Sequence, residues 1–162
     1  MTIRVGPRTG GLTTLHVTLM PDQANTELWK NGWMNLIKVL RQSFVPSMPT
    51  LTGVEVELVA AQPGPGTDEI TMSISSEEGA ALAVISKNVS ISECSHVLFL
   101  LPRGGLRVSP GQVYSIQLSG GGGLFGWKYV KGDYANRTTS RKDSSLSPDT
   151  RNSFLFRTFG SN

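Results

Sequence analysis

The feature that most constrains the fold is a hydrophobic period of two, repeated in short segments along the chain. Apolar residues alternate with polar or small ones in five clear segments: 15–19, 54–58, 70–74, 114–118 and 125–129. Successive side chains of a β-strand point to opposite faces of a sheet, so each segment predicts a strand with one face on a core. A continuous apolar run at 97–101 predicts a further strand at the centre of a sheet. The predicted core residues are Val54, Val56, Leu58, Ile116, Leu118 and Phe156, with Phe154 and Phe159 closing the core.

Turn-forming residues separate these segments. The 162-residue chain holds 18 glycines and 9 prolines, and only 17% of its residues are charged, below the ~25% that is usual for globular proteins. Glycine and proline concentrate in the segments 62–68, 77–79, 102–105, 109–111 and 120–123. Short strands joined by many turns predict an all-β fold, a sandwich or a barrel, as a single domain over residues 1–162. Residues 1–35 are either part of this fold or a peripheral N-terminal extension.

Residues 33–44 carry two incompatible patterns. Five large apolar residues recur at spacings of one, three and four, which is typical of one face of a helix. They are Trp33, Leu36, Ile37, Leu40 and Phe44. The approach to Pro46 also suits a strand. We therefore expect a loop or short helix before about residue 36, followed by a strand up to Val45.

Six short motifs occur in an order that resembles a broad group of bacterial jelly-roll modules. They are Gln42-Ser43-Phe44-Val45-Pro46, Leu51-Thr52-Gly53-Val54-Glu55-Val56, Val108-Ser109-Pro110-Gly111-Gln112-Val113-Tyr114, Gly126-Trp127-Lys128-Tyr129, Gly132-Asp133-Tyr134-Ala135-Asn136 and Ser153-Phe154-Leu155-Phe156-Arg157-Thr158-Phe159-Gly160. The resemblance covers about residues 40–160 and rests on the order of the motifs. The chain departs from the pattern at Arg137, where the group has glycine.

Such modules resemble carbohydrate-binding and cell-surface accessory domains of larger secreted proteins. The resemblance therefore implies an antiparallel β-sandwich of jelly-roll type. It also implies a non-catalytic binding or accessory module, extracellular or at the cell surface, with carbohydrate as the ligand class. No leader peptide is visible in the N-terminal residues. Modules of this kind often carry a structural Ca²⁺. The acidic residues available for one come from distant turns and form no EF-hand loop, so no cofactor is expected. These residues are Asp68, Glu69, Glu77 and Glu78.

The segment that best fits a ligand site is 127–136. Sugar rings stack their C–H faces on aromatic rings, and their hydroxyls need polar partners in fixed positions. The predicted ligand-binding residues are Trp127, Tyr129, Asp133, Tyr134 and Asn136. The polar loop 128–143 would supply further hydrogen bonds. Because Trp127 and Tyr129 share one face of a predicted strand, packing in the core is the competing interpretation for these two.

Residues suited to catalysis are sparse. The chain has two histidines and one cysteine, Cys94, which is expected to be structural. Glu55 and Glu57 would lie on one face of a strand about 7 Å apart, a separation that glycoside hydrolysis can use. Their place on the polar side of an alternation favours solvent-facing side chains. No catalytic residue is predicted, and a hydrolase ranks behind a binding module and a structural or protein-interaction domain.

Charge is divided unevenly along the chain. Residues 1–81 carry 5 basic and 8 acidic residues, whereas residues 82–162 carry 10 basic and 4 acidic ones. A basic half can meet a glycan or another anionic surface. Specific nucleic-acid binding is not expected, because no run of lysine and arginine is present. No apolar stretch is long enough to span a membrane, and the oligomeric state stays open.

Overall fold

The computed structural model describes residues 2–5, 13–16, 19–25, 31–102, 104–120, 122–131, 139–141 and 152–162. In chain order the strands are β1 Thr2–Val5, β2 Thr13–His16, β3 Met20–Asn25, β4 Asn31–Asn35, β5 Leu40–Phe44, β6 Thr50–Val56, β7 Leu58–Ala60, β8 Thr67–Ser76, β9 Ala81–Ser90, β10 Val97–Leu100, β11 Leu106–Arg107, β12 Tyr114–Gly120, β13 Phe125–Lys131, β14 Thr139–Arg141, β15 Asn152–Phe154 and β16 Phe156–Ser161. The helical structure of these residues is one 3-10 turn, Ile91–Glu93. Within the same ranges, no helix has the length and apolar composition needed to cross a membrane.

Strands β3 to β16 form a sandwich, while β1 and β2 pair with each other as a separate two-stranded sheet. Every described pairing is antiparallel. One layer is sheet I, with the order β14–β5–β12–β8–β9. The other layer combines sheet II, β10–β6–β16–β3 with β11 beside β6, and sheet III, β15–β13–β4 with β7 beside β13. One hydrophobic cluster draws on all three sheets. Phe44 of β5 meets Phe156 of β16 across the layers, with ring centroids 6.2 Å apart.

Sheets II and III meet at a corner where the chain twice changes sheet. It passes from β6 to β7 at Glu57 and from β15 to β16 at Leu155. Three backbone hydrogen bonds close the corner: Glu57 N–H to Leu155 O (3.3 Å), Leu155 N–H to Lys128 O (2.9 Å) and Lys128 N–H to Glu57 O (3.0 Å). Strands that switch sheets by bending are a usual way to build such corners. Lys128 of β13 therefore lies where the two sheets join.

The alternation identified the core and the fold class correctly. Val54, Val56, Leu58, Ile116, Leu118 and Phe156 are at most 1% exposed. The all-β prediction is confirmed, and the antiparallel sheets pack against each other as a sandwich. The turn at 77–79 is also confirmed: Gly79 has a φ of +88°, in the region that favours glycine, and its N–H donates to Ser76 O (3.0 Å).

One polar side chain lies inside this core. Gln42 is fully buried on the inner face of β5. Its Nε2 donates to Ser43 O (2.9 Å), and its Oε1 accepts from the N–H of Phe154 in β15 (2.8 Å). A buried donor left without its acceptor costs about 1–3 kcal/mol. Gln42 thus links sheet I to sheet III, which is a physical reason for a glutamine at this position of the motif.

Residues 31–44 form two strands in different layers. β4 pairs with β13 in sheet III, residues 36–38 turn, and β5 pairs with β12 in sheet I. The expected strand leading toward Val45 is confirmed as β5. The expected loop or short helix before residue 36 is wrong, because β13 supplies the partner that holds residues 31–35 extended.

The run 97–101 lies at the margin of its sheet. β10 is the first strand in the order of sheet II and, within the described residues, pairs with β6 alone. Leu98 is half-buried and Leu100 is exposed. The expectation of a central strand is therefore wrong, and the apolar run instead leaves part of its surface open to solvent.

Candidate functional site

Trp127 is a core residue of sheet III. Its side chain has 0% exposure. The indole stacks on Phe154 with ring centroids 4.5 Å apart and planes inclined by 15°. Its Nε1–H donates to Leu155 O (2.9 Å) at the corner between the sheets. An indole with both faces covered offers no platform for a ligand, so the core interpretation describes Trp127.

Tyr129 lies on the same inner side of β13 but nearer its margin. It is half-buried and meets Phe154 edge-on, with centroids 6.2 Å apart and planes at 90°. Its ring lies over Gly32 of β4, where an added Cβ would lie 2.9 Å from Tyr129 Cε1. The other three predicted site residues, Asp133, Tyr134 and Asn136, lie outside the described residues.

The exposed aromatic of sheet III is Trp33, on the opposite face. Trp33 is 46% exposed. It stands directly across from Lys128 in the β4–β13 register. Its ring covers Gly126, where an added Cβ would overlap the indole and lie 3.0 Å from Trp33 Cδ2. The glycine lets one face of the ring rest on the strand, while the other is open to solvent.

Charged and polar groups border this ring. Lys128 Nζ lies 3.8 Å from Glu57 Oε2, and both side chains are half-buried. The two residues also share a backbone hydrogen bond at the corner (3.0 Å), which places the ion pair beside the aromatic ring. The ion pair therefore presents charged donors and acceptors next to Trp33.

The turn after β4 borders the Trp33 ring on another side. Asn35 Nδ2 donates to Gly123 O (3.1 Å), and Asn35 Oδ1 accepts from Ile37 N–H (2.9 Å). This side-chain turn leaves Ile37 projecting into solvent. An open concavity of about 430 Å³ forms here, within the 300–1,000 Å³ range of ligand sites. It is lined by Trp33, Met34, Asn35, Ile37, Lys38 and Leu40.

The glycine run beside this turn is held in place at its described positions. Gly122 N–H donates to Asp68 Oδ2 (2.7 Å), and Gly120 N–H donates to Leu36 O (2.9 Å). Gly123 has a φ of +69° and faces Ile37 closely. The run connects β12 of sheet I to β13 of sheet III, which do not pair with each other, so the expectation from the sequence that these glycines form a hairpin tip is wrong. The run also supports the wall of the concavity.

The two carboxylates weighed for hydrolysis have separate partners. Glu55 Oε1 lies 3.3 Å from Arg157 Nη1 and 3.7 Å from His96 Nδ1. Glu57 pairs with Lys128 beyond the end of β6. Both are half-buried rather than solvent-facing as predicted. For Glu57 the reason is the strand break, which removes this residue from the alternation. Glu55 stays within β6, where it lies between Leu98 and Arg157 of the neighbouring strands.

The acidic residues considered for Ca²⁺ are far apart. Asp68 and Glu69 lie at the start of β8, whereas Glu77 and Glu78 lie in the turn after its end. At strand rise the two pairs are separated by roughly 30 Å, so they cannot share one ion. Among the described residues, no group of three or more His, Cys, Asp and Glu side chains is placed to hold a metal.

Trp33 is the residue that the sequence interpretation missed. Its spacing with Leu36 and Leu40, both of which are buried, also fits one face of a helix. A signal was present in the alternation of 31–36: Asn31, Trp33 and Asn35 share one face, and Gly32, Met34 and Leu36 share the other. That pattern predicts a strand with its tryptophan pointing away from the core.

In comparisons with known proteins, neither a protein-family model nor a curated sequence matches this chain.

Proposed function

We propose that this protein is a non-catalytic carbohydrate-binding module, and that Trp33 is the platform on which a sugar ring stacks. The observation that carries the proposal is the ring of Trp33, supported from beneath by Gly126 and open on its outer face. A stacked ring needs such a flat and preorganised surface, because ordering a mobile side chain on binding weakens affinity.

The polar surroundings fit the hydroxyl groups of a sugar. The Lys128–Glu57 pair supplies donors and acceptors on one side of the ring, and the concavity at the β4–β5 turn lies on the other. A few polar groups around a mainly apolar surface is the usual composition of a small-molecule site. The residues that approach a ligand would thus come from β4, β13 and the corner.

The ion pair beside Trp33 adds no net charge to the described site, whereas Lys38 adds one positive charge to the lining of the concavity. The positive charge of Lys128 is compensated by Glu57 at 3.8 Å. Binding to a neutral glycan should therefore change little between low and high salt. Binding that rests on surface charge would instead weaken as screening increases.

A glycan array that holds neutral and acidic sugars tests the proposal, followed by calorimetric titration of the strongest ligand. Trp33→Ala should weaken binding at least about tenfold, equivalent to ~1.4 kcal/mol. Trp33→Phe should retain part of the affinity, because it keeps an aromatic face. Met20→Ala is the matched control: Met20 is 47% exposed and lies on β3 of sheet II.

Two results would contradict the proposal. One is that no glycan on the array binds the wild-type protein. The other is that Trp33→Ala and Met20→Ala bind as tightly as the wild type, which would place any sugar site elsewhere on the chain.

A further inference from the structure

The concavity at the β4–β5 turn has a mainly apolar lining. Its apolar lining residues are Trp33, Met34, Ile37 and Leu40, and its polar ones are Asn35 and Lys38. Leu40 is buried and Met34 is half-buried, whereas Trp33 and Ile37 are exposed and form the walls. A hydroxyl group placed against this lining would lose its hydrogen bonds to water without replacing them, which is costly. The lining therefore favours a ligand that brings an apolar group.

Ile37 is held in its exposed position by contacts with a glycine. A Cβ added at Gly123 would lie 2.7 Å from Ile37 Cδ1, so the side chain rests against this glycine. Asn35 fixes the turn, because its Nδ2 donates to Gly123 O (3.1 Å) and its Oδ1 accepts from Ile37 N–H (2.9 Å). A side chain that is already ordered loses little freedom when a ligand covers it.

Both walls of the concavity rest on one short segment of the chain. Gly123 supports Ile37, and Gly126, three residues further along, supports Trp33. Phe125 lies between the two glycines and is fully buried, and its backbone oxygen accepts from the N–H of Leu36 (3.0 Å). This bond ties the segment to the β4–β5 turn. The spacing of the two walls is therefore set by the fold before a ligand binds.

Asn35 has hydrogen-bonding capacity left for a ligand. A side-chain amide carries two N–H donors and an oxygen with two lone pairs. Among the described residues, Asn35 uses one donor for Gly123 O and one lone pair for Ile37 N–H, so one of each is left. One donor beside one acceptor is the complement of another amide group. Lys38 is exposed and adds donors to the same lining.

We propose that the sugar bound at this site is an N-acetylated hexosamine, with its ring stacked on Trp33 and its acetamido group in the concavity. The methyl group meets the apolar surface of Ile37 and Met34, where its burial is favourable. The N–H and C=O of the acetamido group pair with Asn35. A 6-deoxy sugar brings a methyl group without an amide and would leave Asn35 without its complement. This inference rests on the proposed function, because it takes Trp33 as the platform.

Calorimetric titration with two matched pairs of sugars tests the inference. Di-N-acetylchitobiose is compared with cellobiose, which has the same linkage and carries a hydroxyl in place of each acetamido group. The methyl glycosides of N-acetylgalactosamine and galactose form the second pair and cover the other configuration at C4. In at least one pair, the wild-type protein should bind the N-acetylated sugar at least about tenfold more tightly.

Three variants show whether the concavity causes this preference. Ile37→Ser should weaken the N-acetylated sugar at least about fivefold more than its hydroxyl counterpart, because it removes the apolar wall. Ile37 is 68% exposed, so the variant should fold normally. Trp33→Ala should weaken both members of the pair. Leu82→Ser is the matched control: Leu82 is 41% exposed and lies on β9 of sheet I, so both affinities should stay within about twofold of wild type.

The outcomes separate this inference from the proposed function. Equal affinities within both pairs, with binding lost in Trp33→Ala, would overturn the acetamido assignment and retain Trp33 as a sugar platform. A preference that is unchanged in Ile37→Ser would also overturn the assignment, because the concavity would not be its source. If the wild-type protein binds none of the four sugars, the inference is overturned, and the glycan array decides whether the proposed function stands.

Discussion

Sheet III carries one tryptophan on each face, and the two differ in almost every physical respect. Trp127 is fully buried, stacks on Phe154 and donates its N–H to a backbone carbonyl. Trp33, on the neighbouring strand, rests on a glycine with one face and meets solvent with the other. The residue type is the same, so the face of the sheet decides whether an indole stabilises the fold or is available to a ligand.

On each face, a glycine leaves room for an aromatic ring from the adjacent strand. Tyr129 lies over Gly32 on the inner face, and Trp33 lies over Gly126 on the outer face. A side chain at either glycine would occupy the place of the ring. The inner pair fills the margin of the core, whereas the outer pair forms a surface. Substitutions on the two faces should therefore separate stability from binding.

The largest expected effect is on the inner tryptophan. Trp127→Ala should lower the free energy of unfolding by about 3–5 kcal/mol, because it removes a fully buried ring and leaves a cavity. Trp33→Ala should lower it by less than about 1 kcal/mol, because half of that side chain is already in water. Denaturant titration measures both. Equal losses would show that the two faces do not differ as the structure indicates.

The next effect concerns the buried amide of Gln42, which accepts from the N–H of Phe154. Gln42→Leu keeps the volume but leaves the Phe154 N–H without its acceptor, and should cost about 1–3 kcal/mol. Gln117→Leu is the control, because Gln117 is half-buried on the outer face of β12 and bonds to Ser75 Oγ (3.1 Å); it should cost less than about 1 kcal/mol. An unchanged stability in Gln42→Leu would mean that the link between sheets I and III is not stabilising.

The two glycines give a matched pair of smaller effects. Gly32→Ala should cost about 1–3 kcal/mol by overpacking the half-buried Tyr129. Gly126→Ala should cost a similar amount: the exposed Trp33 ring can turn into solvent, but the added Cβ would also lie 3.1 Å from the backbone oxygen of Met34. Gly126→Ala should also weaken glycan binding, because the added methyl group occupies the space in which the Trp33 ring lies. Thermal unfolding measures the change in stability, and calorimetric titration measures the change in glycan affinity. A Gly126→Ala protein with full affinity would count against Trp33 as the platform.

The smallest effect is on the ion pair beside Trp33. A double-mutant cycle with Lys128→Met and Glu57→Gln should give a coupling energy of about 0.2–1 kcal/mol, as for other partly exposed pairs. The coupling should fall as salt increases. A coupling energy that is large and independent of salt would show that the pair belongs to the core rather than to the surface site.

The sequence by itself determined the fold class and most of the core. The period of two in 54–58 and 114–118 identified the buried residues because alternation directly encodes which side of a strand is apolar. The turn at 77–79 could also be predicted from neighbouring residues alone, because Gly79 adopts a positive φ, which favours glycine. The motif order placed Gln42 before Phe44, but the partner of its amide is 112 residues away.

Only the tertiary structure decided which aromatic is exposed. The spacing of Trp33, Leu36 and Leu40 fits a helix as well as two strands, and pairing with β13 selects the strands. The break of the alternation at Glu57 follows from a corner closed by Lys128 and Leu155. These contacts join residues far apart in the chain, so no local pattern contains them. The exposed platform of Trp33 depends on such a contact, with a glycine on another strand that leaves room for its ring.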